Sequence, residues 1–159
     1  MDKLKILVVD DESRMRKLVK DFLVKKDFEV FEAGDGAEAI DLFFSEKDIA
    51  LIILDVMMPK MDGWEVCREI REHSKVPIIM LTARSDERDE LLGFELGVDE
   101  YISKPFSPKI LVARVEAILR RTNQYDEADT IEEIAMIFPF LTTRSFSERV
   151  YKTIIDIVA

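Results

Sequence analysis

Leu51-Ile52-Ile53-Leu54-Asp55-Val56-Met57-Met58-Pro59-Lys60-Met61-Asp62-Gly63 decides how the rest of the chain is read. Its apolar opening run reads as a strand buried on both faces, the pattern of a parallel sheet, and the run stops on a carboxylate. An ionised Asp at the end of a buried strand costs several kcal/mol of desolvation unless a cation or dense hydrogen bonding offsets it. Asp55 is therefore expected at the mouth of a site, with Pro59 and Asp62-Gly63 turning the chain beyond it.

Working outward, Lys5-Ile6-Leu7-Val8-Val9 is a second buried strand, and it runs into Asp10-Asp11-Glu12. Helical spacing follows from Met15 through Leu23, with Ser13 or Asp11 as the expected cap. Phe28 to Glu32 alternates as a strand, and Gly34-Asp35-Gly36 turns into a helix carrying Ala37, Ala39, Ile40, Leu42 and Phe43. After the Asp55 strand, Trp64, Val66, Cys67 and Ile70 mark a helix, and Val76 to Leu81 a strand closed by Thr82. Asp86 to Leu96 is helical, with Gly97 as its left-handed terminator, and Tyr101-Ile102-Ser103 is a short strand ending on Lys104-Pro105. Ser107-Pro108 caps a last helix running to Arg120-Arg121. Strand and helix thus alternate five times. That predicts an α/β fold, a doubly wound five-stranded parallel sheet with helices on both faces, whose reactive residues lie at the carboxyl ends of the strands.

Those ends carry Asp10 and Asp11, Asp55, Thr82 and Lys104. Converging carboxylates cannot all stay ionised unaided, so a hard divalent cation is implied, and oxygen ligands suit Mg²⁺. Lys104 offers a point charge and Thr82 a hydroxyl, the groups required where phosphoryl oxygens carry charge. Asp55 is then the nucleophile, forming an acyl phosphate.

Composition narrows the classes. The 159 residues fit one ordinary domain with an appendage, and 48% apolar residues suffice for a packed core. A formal net charge of −10 argues against duplex nucleic acid or an anionic membrane as main partner. Cys67 stands alone, excluding an internal disulfide, and His73 lacks a companion metal ligand; both read as structural residues. No apolar run approaches the ~18 residues of a membrane span, and Met1-Asp2-Lys3 leads straight toward a strand without a signal-peptide pattern, so the expected location is the cytoplasm.

Over residues 3–121 the chain resembles the receiver domains of two-component response regulators. The resemblance rests on Val8-Val9-Asp10-Asp11, on Leu54 through Gly63, on Leu81-Thr82-Ala83-Arg84 and on Tyr101-Ile102-Ser103-Lys104-Pro105-Phe106. It implies strand order 2-1-3-4-5, phosphoryl transfer to Asp55 from a sensor histidine kinase, and Mg²⁺ held by Asp10, Asp11, Asp55 and the carbonyl of Met57. It further implies that Thr82 and Lys104 bind the phosphoryl oxygens and that Tyr101 is a switch aromatic turning inward with Thr82. Enzymatic activity is expected to be confined to the chain's own phosphorylation and dephosphorylation. Two other classes fit less well. A flavodoxin-type FMN binder needs Gly, Ser and Thr where Asp10-Asp11-Glu12 stand, and a haloacid-dehalogenase-like phosphatase needs an Asp where Met57 stands.

From Gly97 to Arg121 the chain looks most like the OmpR/PhoB subfamily, whose phosphorylated receivers dimerise through helix four, strand five and helix five. Asp99, Glu100, Arg114 and Arg121 match its cross-dimer charges, whereas Leu92 and Ile110 replace a charged pair with apolar residues. These six positions form the expected homodimer surface. Beyond the receiver (1–121), residues 122–130 read as a polar linker and 131–159 as a helical tail. That 38-residue segment carries seven acidic against three basic residues, unlike the subfamily's winged-helix domain, so no direct nucleic-acid binding is assigned to this chain. The alternatives carried forward are a truncated transcriptional regulator and a stand-alone receiver acting by protein contact.

Overall fold

A computed structural model of the chain describes residues 2–83 and 87–122. Arg84, most of the expected linker and the 131–159 tail lie outside the described residues. The chain divides into two compact units, Met1–Ile118 and Leu119–Ala159.

The strands are β1 (Lys5–Val9), β2 (Glu29–Ala33), β3 (Ile49–Asp55), β4 (Ile78–Thr82) and β5 (Glu100–Ser103). The helices are α1 (Ser13–Lys25), α2 (Gly36–Ser45), α3 (Gly63–Arg71), α4 (Glu87–Glu95) and α5 (Pro108–Arg121). All pairings are parallel and the sheet order is β2-β1-β3-β4-β5, as expected. Every residue of β3 is buried, which explains why its sequence shows no polar alternation. One face of the sheet presents Leu7, Val9, Ile52, Leu54, Ile78 and Met80 to a core completed by Ala39 of α2 and Trp64, Val66, Cys67 and Ile70 of α3. The alternate residues Ile6, Val8, Ile53, Ile79 and Leu81 are equally buried on the other face, as are Val19 and Leu23 of α1 and Leu111 and Val115 of α5.

Register decides where the functional residues land. Val9 lies opposite Leu54, so Asp10 and Asp55 emerge side by side. Asp55 lies opposite Leu81 and Thr82 opposite Ser103, so the chain steps from Asp55 to Thr82 to Lys104 across three neighbouring strand ends. The ladder continues past the strands: Asp10 N–H donates to Ala33 O at 3.2 Å, and Lys104 N–H to Thr82 O at 2.7 Å.

Local signals were mostly read correctly. Gly97 has φ +77° and ends α4, as expected of a left-handed terminator. Ser107 Oγ accepts from Ile110 N–H at 3.4 Å, with Pro108 as the first residue of α5. The cap expected on α1 does not form: Glu12 occupies that position with no side-chain bond. Asp10 Oδ1 accepts from the Glu12 N–H at 2.9 Å, and Asp11 contributes to the pocket described next. His73 lies just beyond α3, its ring edge-on to Phe44 at 5.5 Å.

Candidate functional site

At the carboxyl edge of the sheet, Asp10, Asp11 and Asp55 each bring a carboxylate oxygen within 4.8 Å of the others. Asp10 and Asp55 are buried and Asp11 is exposed, so the cluster opens to solvent on one side. Lys104 reaches over from the end of β5, its Nζ 3.1 Å from Asp10 Oδ2 and 3.4 Å from Asp55 Oδ1. Asp55 Oδ1 also accepts from Met57 N–H at 3.3 Å, which fixes the start of the loop after β3. Thr82 is fully buried at the end of β4.

Burial, reinforced by the neighbouring Asp10 charge, pushes the Asp55 carboxyl up to about 6, while Lys104 and the Met57 N–H pull the other way. Burial alone would lower the Lys104 ammonium, but Asp10 and Asp55 outweigh it and hold the group above its usual range. Three carboxylates and one ammonium leave a formal charge of −2 in the pocket. The donors are hard oxygens and one flank is open to water, so the residues fit a divalent cation of the Mg²⁺ type.

The loop that holds Asp55 is tightly backed. Asp62 caps α3 by accepting from Glu65 N–H at 3.0 Å. A Cβ at Gly63 would collide with the Asp55 carbonyl oxygen and lie 2.9 Å from Val56 Cα, so only glycine lets α3 start this close to the phosphoacceptor candidate. Lys60 supports the same turn with φ +69°. Sequence reading placed a turn at Asp62-Gly63 but missed the cap, although an acidic N-cap followed three residues later by Glu is a recognisable signal.

The sequence profile described as Response regulator receiver domain matches residues 6–116, most of the chain. The chain belongs to the response regulator receiver family. Among proteins similar to it, the probable transcriptional regulator ycf27 of Guillardia theta is 48% identical over 151 residues, covering 94% of this chain and 59% of the relative. The transcriptional regulatory protein SrrA of Staphylococcus aureus is 49% identical over 128 residues, covering 80% of this chain and 51% of that protein. The chain therefore spans little more than half the length of these curated relatives, and the Guillardia match runs on beyond Arg121. Of solved structures, the BeF3-activated DrrB receiver domain superposes with a TM-score of 0.67 at 38% identity, covering 75% of this chain and 99% of that one. A two-component response regulator from Clostridium difficile superposes with a TM-score of 0.73 at 36% identity, covering 76% and 99%.

Tyr101, the expected receiver switch residue, is half-buried and stacks on Trp64 with centroids 6.3 Å apart and planes 11° off parallel. Gly93 of α4 packs against this pair: a Cβ there would stand 3.3 Å from Trp64 Cη2 and 3.7 Å from Tyr101 Cδ2. From sequence Trp64 reads as a helix residue, because nothing in periodicity announces a partner on β5.

The expected receiver dimer surface divides. Ile110 is exposed, and Arg114 and Arg121 lie on the exposed side of α5. Leu92 is half-buried against the hydrophobic core, and the exposed large apolar residues of α4 are Leu91 and Phe94. Asp99 accepts from Ile78 N–H at 2.9 Å and pairs with Arg71 at 3.6 Å, and Glu100 pairs with Arg114 at 3.4 Å, all within one chain. Among the described residues no helix is long and apolar enough to cross a membrane.

Proposed function

We propose that this receiver is a phosphorylation switch in which Asp55 takes a phosphoryl group from a sensor histidine kinase. The observation that carries the reading is Lys104 Nζ standing between Asp10 and Asp55 beside three convergent carboxylates. A carboxylate oxygen of Asp55 attacks phosphorus; the bond to the kinase imidazole nitrogen breaks, the imidazole keeps the electron pair, and an acyl phosphate is left on Asp55. Lys104 meets the charge on the transferred oxygens, and the Thr82 hydroxyl donates to one of them. Asp10, Asp11, Asp55 and the Met57 carbonyl would hold Mg²⁺, which supplies charge neutralisation for the carboxylates and the incoming group. Catalysis by the chain is limited to this self-modification and its reversal.

Downstream, the reading is a receiver that dimerises on phosphorylation through α4, β5 and α5. Relatives named as transcriptional regulators support its placement in the control of transcription, with no direct DNA contact assigned to this chain. The test is acetyl phosphate with Mg²⁺, followed by intact-mass measurement. Wild-type chain gains one phosphoryl group and Asp55→Asn gains none; equal labelling of the two would overturn the assignment of the nucleophile.

A further inference from the structure

Arg16 lies on the first turn of α1, outside the pocket, yet its contacts converge on the residue that anchors it. Its guanidinium Nη1 donates to the backbone carbonyl of Asp10 at 2.6 Å. Nε is buried with no hydrogen bond among the described residues, and it faces Glu32 Oε1 at 3.5 Å. Glu32 is in turn paired with Lys20 at 3.4 Å. Gly34 leaves room for the guanidinium, since a Cβ there would sit 3.2 Å from Nη1. A cation locked in this way between α1, β1 and β2 does more than solvate a surface helix.

The carbonyl it holds belongs to the peptide that joins Asp10 to Asp11. A peptide unit is planar and rigid, so fixing its oxygen fixes its rotation. That rotation sets the angle between the two carboxylates on either side. Asp10 is otherwise tied through its N–H to Ala33 O and through its side chain to Lys104 and the Glu12 N–H. Asp11 is exposed and has no comparable anchor among the described residues; the peptide is its link to the rest of the cluster.

We infer that Arg16 is a positioning residue for the cation site: by holding the Asp10–Asp11 peptide from α1, with Glu32 steadying the guanidinium from β2, it sets both carboxylates at the angle a divalent ion requires. The inference rests on the reading of Asp10, Asp11 and Asp55 as a Mg²⁺ site. Residues that orient metal ligands typically account for 10- to 100-fold in affinity, and Arg16 acts on two ligands through one bond.

Calorimetric titration of Mg²⁺ into the full chain tests it. Arg16→Met, which keeps the aliphatic stem, is expected to weaken Mg²⁺ binding roughly tenfold, and Arg16→Lys to recover part of the loss through a single donor. A folded Arg16→Met chain binding within twofold of wild type overturns the inference. So does an equal loss in Ile70→Val, a core variant in the last turn of α3, since that would mark general loosening. If Arg16→Met fails to fold by circular dichroism, Glu32→Gln decides: several-fold weaker binding supports the role and unchanged binding refutes it. Wild-type chain that takes up no Mg²⁺ overturns the cation reading itself, a distinguishable failure.

Discussion

Lys104 Nζ stands 3.4 Å from Asp55 Oδ1, joining the end of an edge strand to the end of the central strand of the sheet. The ammonium thus already sits where a transferred phosphoryl oxygen would need a counter-charge. Replacing Lys104 by Met is expected to slow phosphorylation of Asp55 by acetyl phosphate about 10²-fold or more, as when a preorganised charge donor is lost. Mg²⁺ affinity should hold or rise, because a competing cation has left the pocket. Parallel fall of rate and Mg²⁺ affinity would show that Lys104 is needed to assemble the site rather than to meet phosphoryl charge.

The raised Asp55 carboxyl gives the cation-free chain a pH signature. Its folded value is about 6 against an ordinary 3.8, so between these limits the folded chain binds more protons than the unfolded one. Stability from this group is therefore full below about pH 4 and lost as pH rises to about 6. The loss is at most about 3 kcal/mol, from 1.36 kcal/mol per unit. The measurement is a difference that isolates this group: urea unfolding in EDTA, wild type against Asp55→Asn, from pH 4 to 7. The Asn variant should gain on wild type as pH rises, and a constant gap would contradict the raised value.

Gly63→Ala should destabilise the fold by about 1–3 kcal/mol, the usual cost of overpacking, because the new methyl meets the Asp55 carbonyl and Val56 backbone rather than a yielding side chain. Thermal and urea unfolding check this. The same variant should also slow phosphorylation, since the displaced backbone carries Asp55 itself.

For assembly, Leu91, Phe94 and Ile110 are the exposed large apolar residues on α4 and α5, and Glu100 is already paired with Arg114 within the chain. A two-fold dimer that re-pairs these charges breaks as many ion pairs as it makes, so the apolar residues must supply most of the affinity. Phe94→Glu is expected to abolish beryllofluoride-dependent dimerisation in sedimentation, whereas Arg114→Gln should weaken it by well under tenfold and cost the monomer less than about 1 kcal/mol. Dimerisation unaffected by Phe94→Glu would exclude this face.

Much of the site was legible because each functional side chain follows a strand whose own residues announce it. The runs Ile6–Val9, Leu51–Leu54 and Ile78–Leu81 are unbroken apolar segments, and Asp10, Asp55 and Thr82 are simply the next polar residues. What was not legible depends on pairs remote in sequence. Trp64 against Tyr101, Arg16 against the Asp10 carbonyl, and Asp99 bound to Ile78 N–H arise from packing between elements, which periodicity within one element does not encode. The setting of Leu92 has a related origin: in Leu91-Leu92 either residue can face the core, and only the docked helix chooses.

The sheet is graded across its width. Every residue of β3 is buried, with hydrogen-bonded neighbours on both sides, whereas β5 has one open edge and no fully buried residue. Local opening should therefore be far cheaper at β5 than at β3, and amide hydrogens of Tyr101 to Ser103 should exchange well before those of Ile52 to Leu54. The phosphorylation proposed at Asp55 would then be anchored on a strand that opens less readily than β5. Tyr101 belongs to a part that can rearrange without unfolding the centre, so a small free-energy change at the carboxylate suffices to redistribute conformers at the edge.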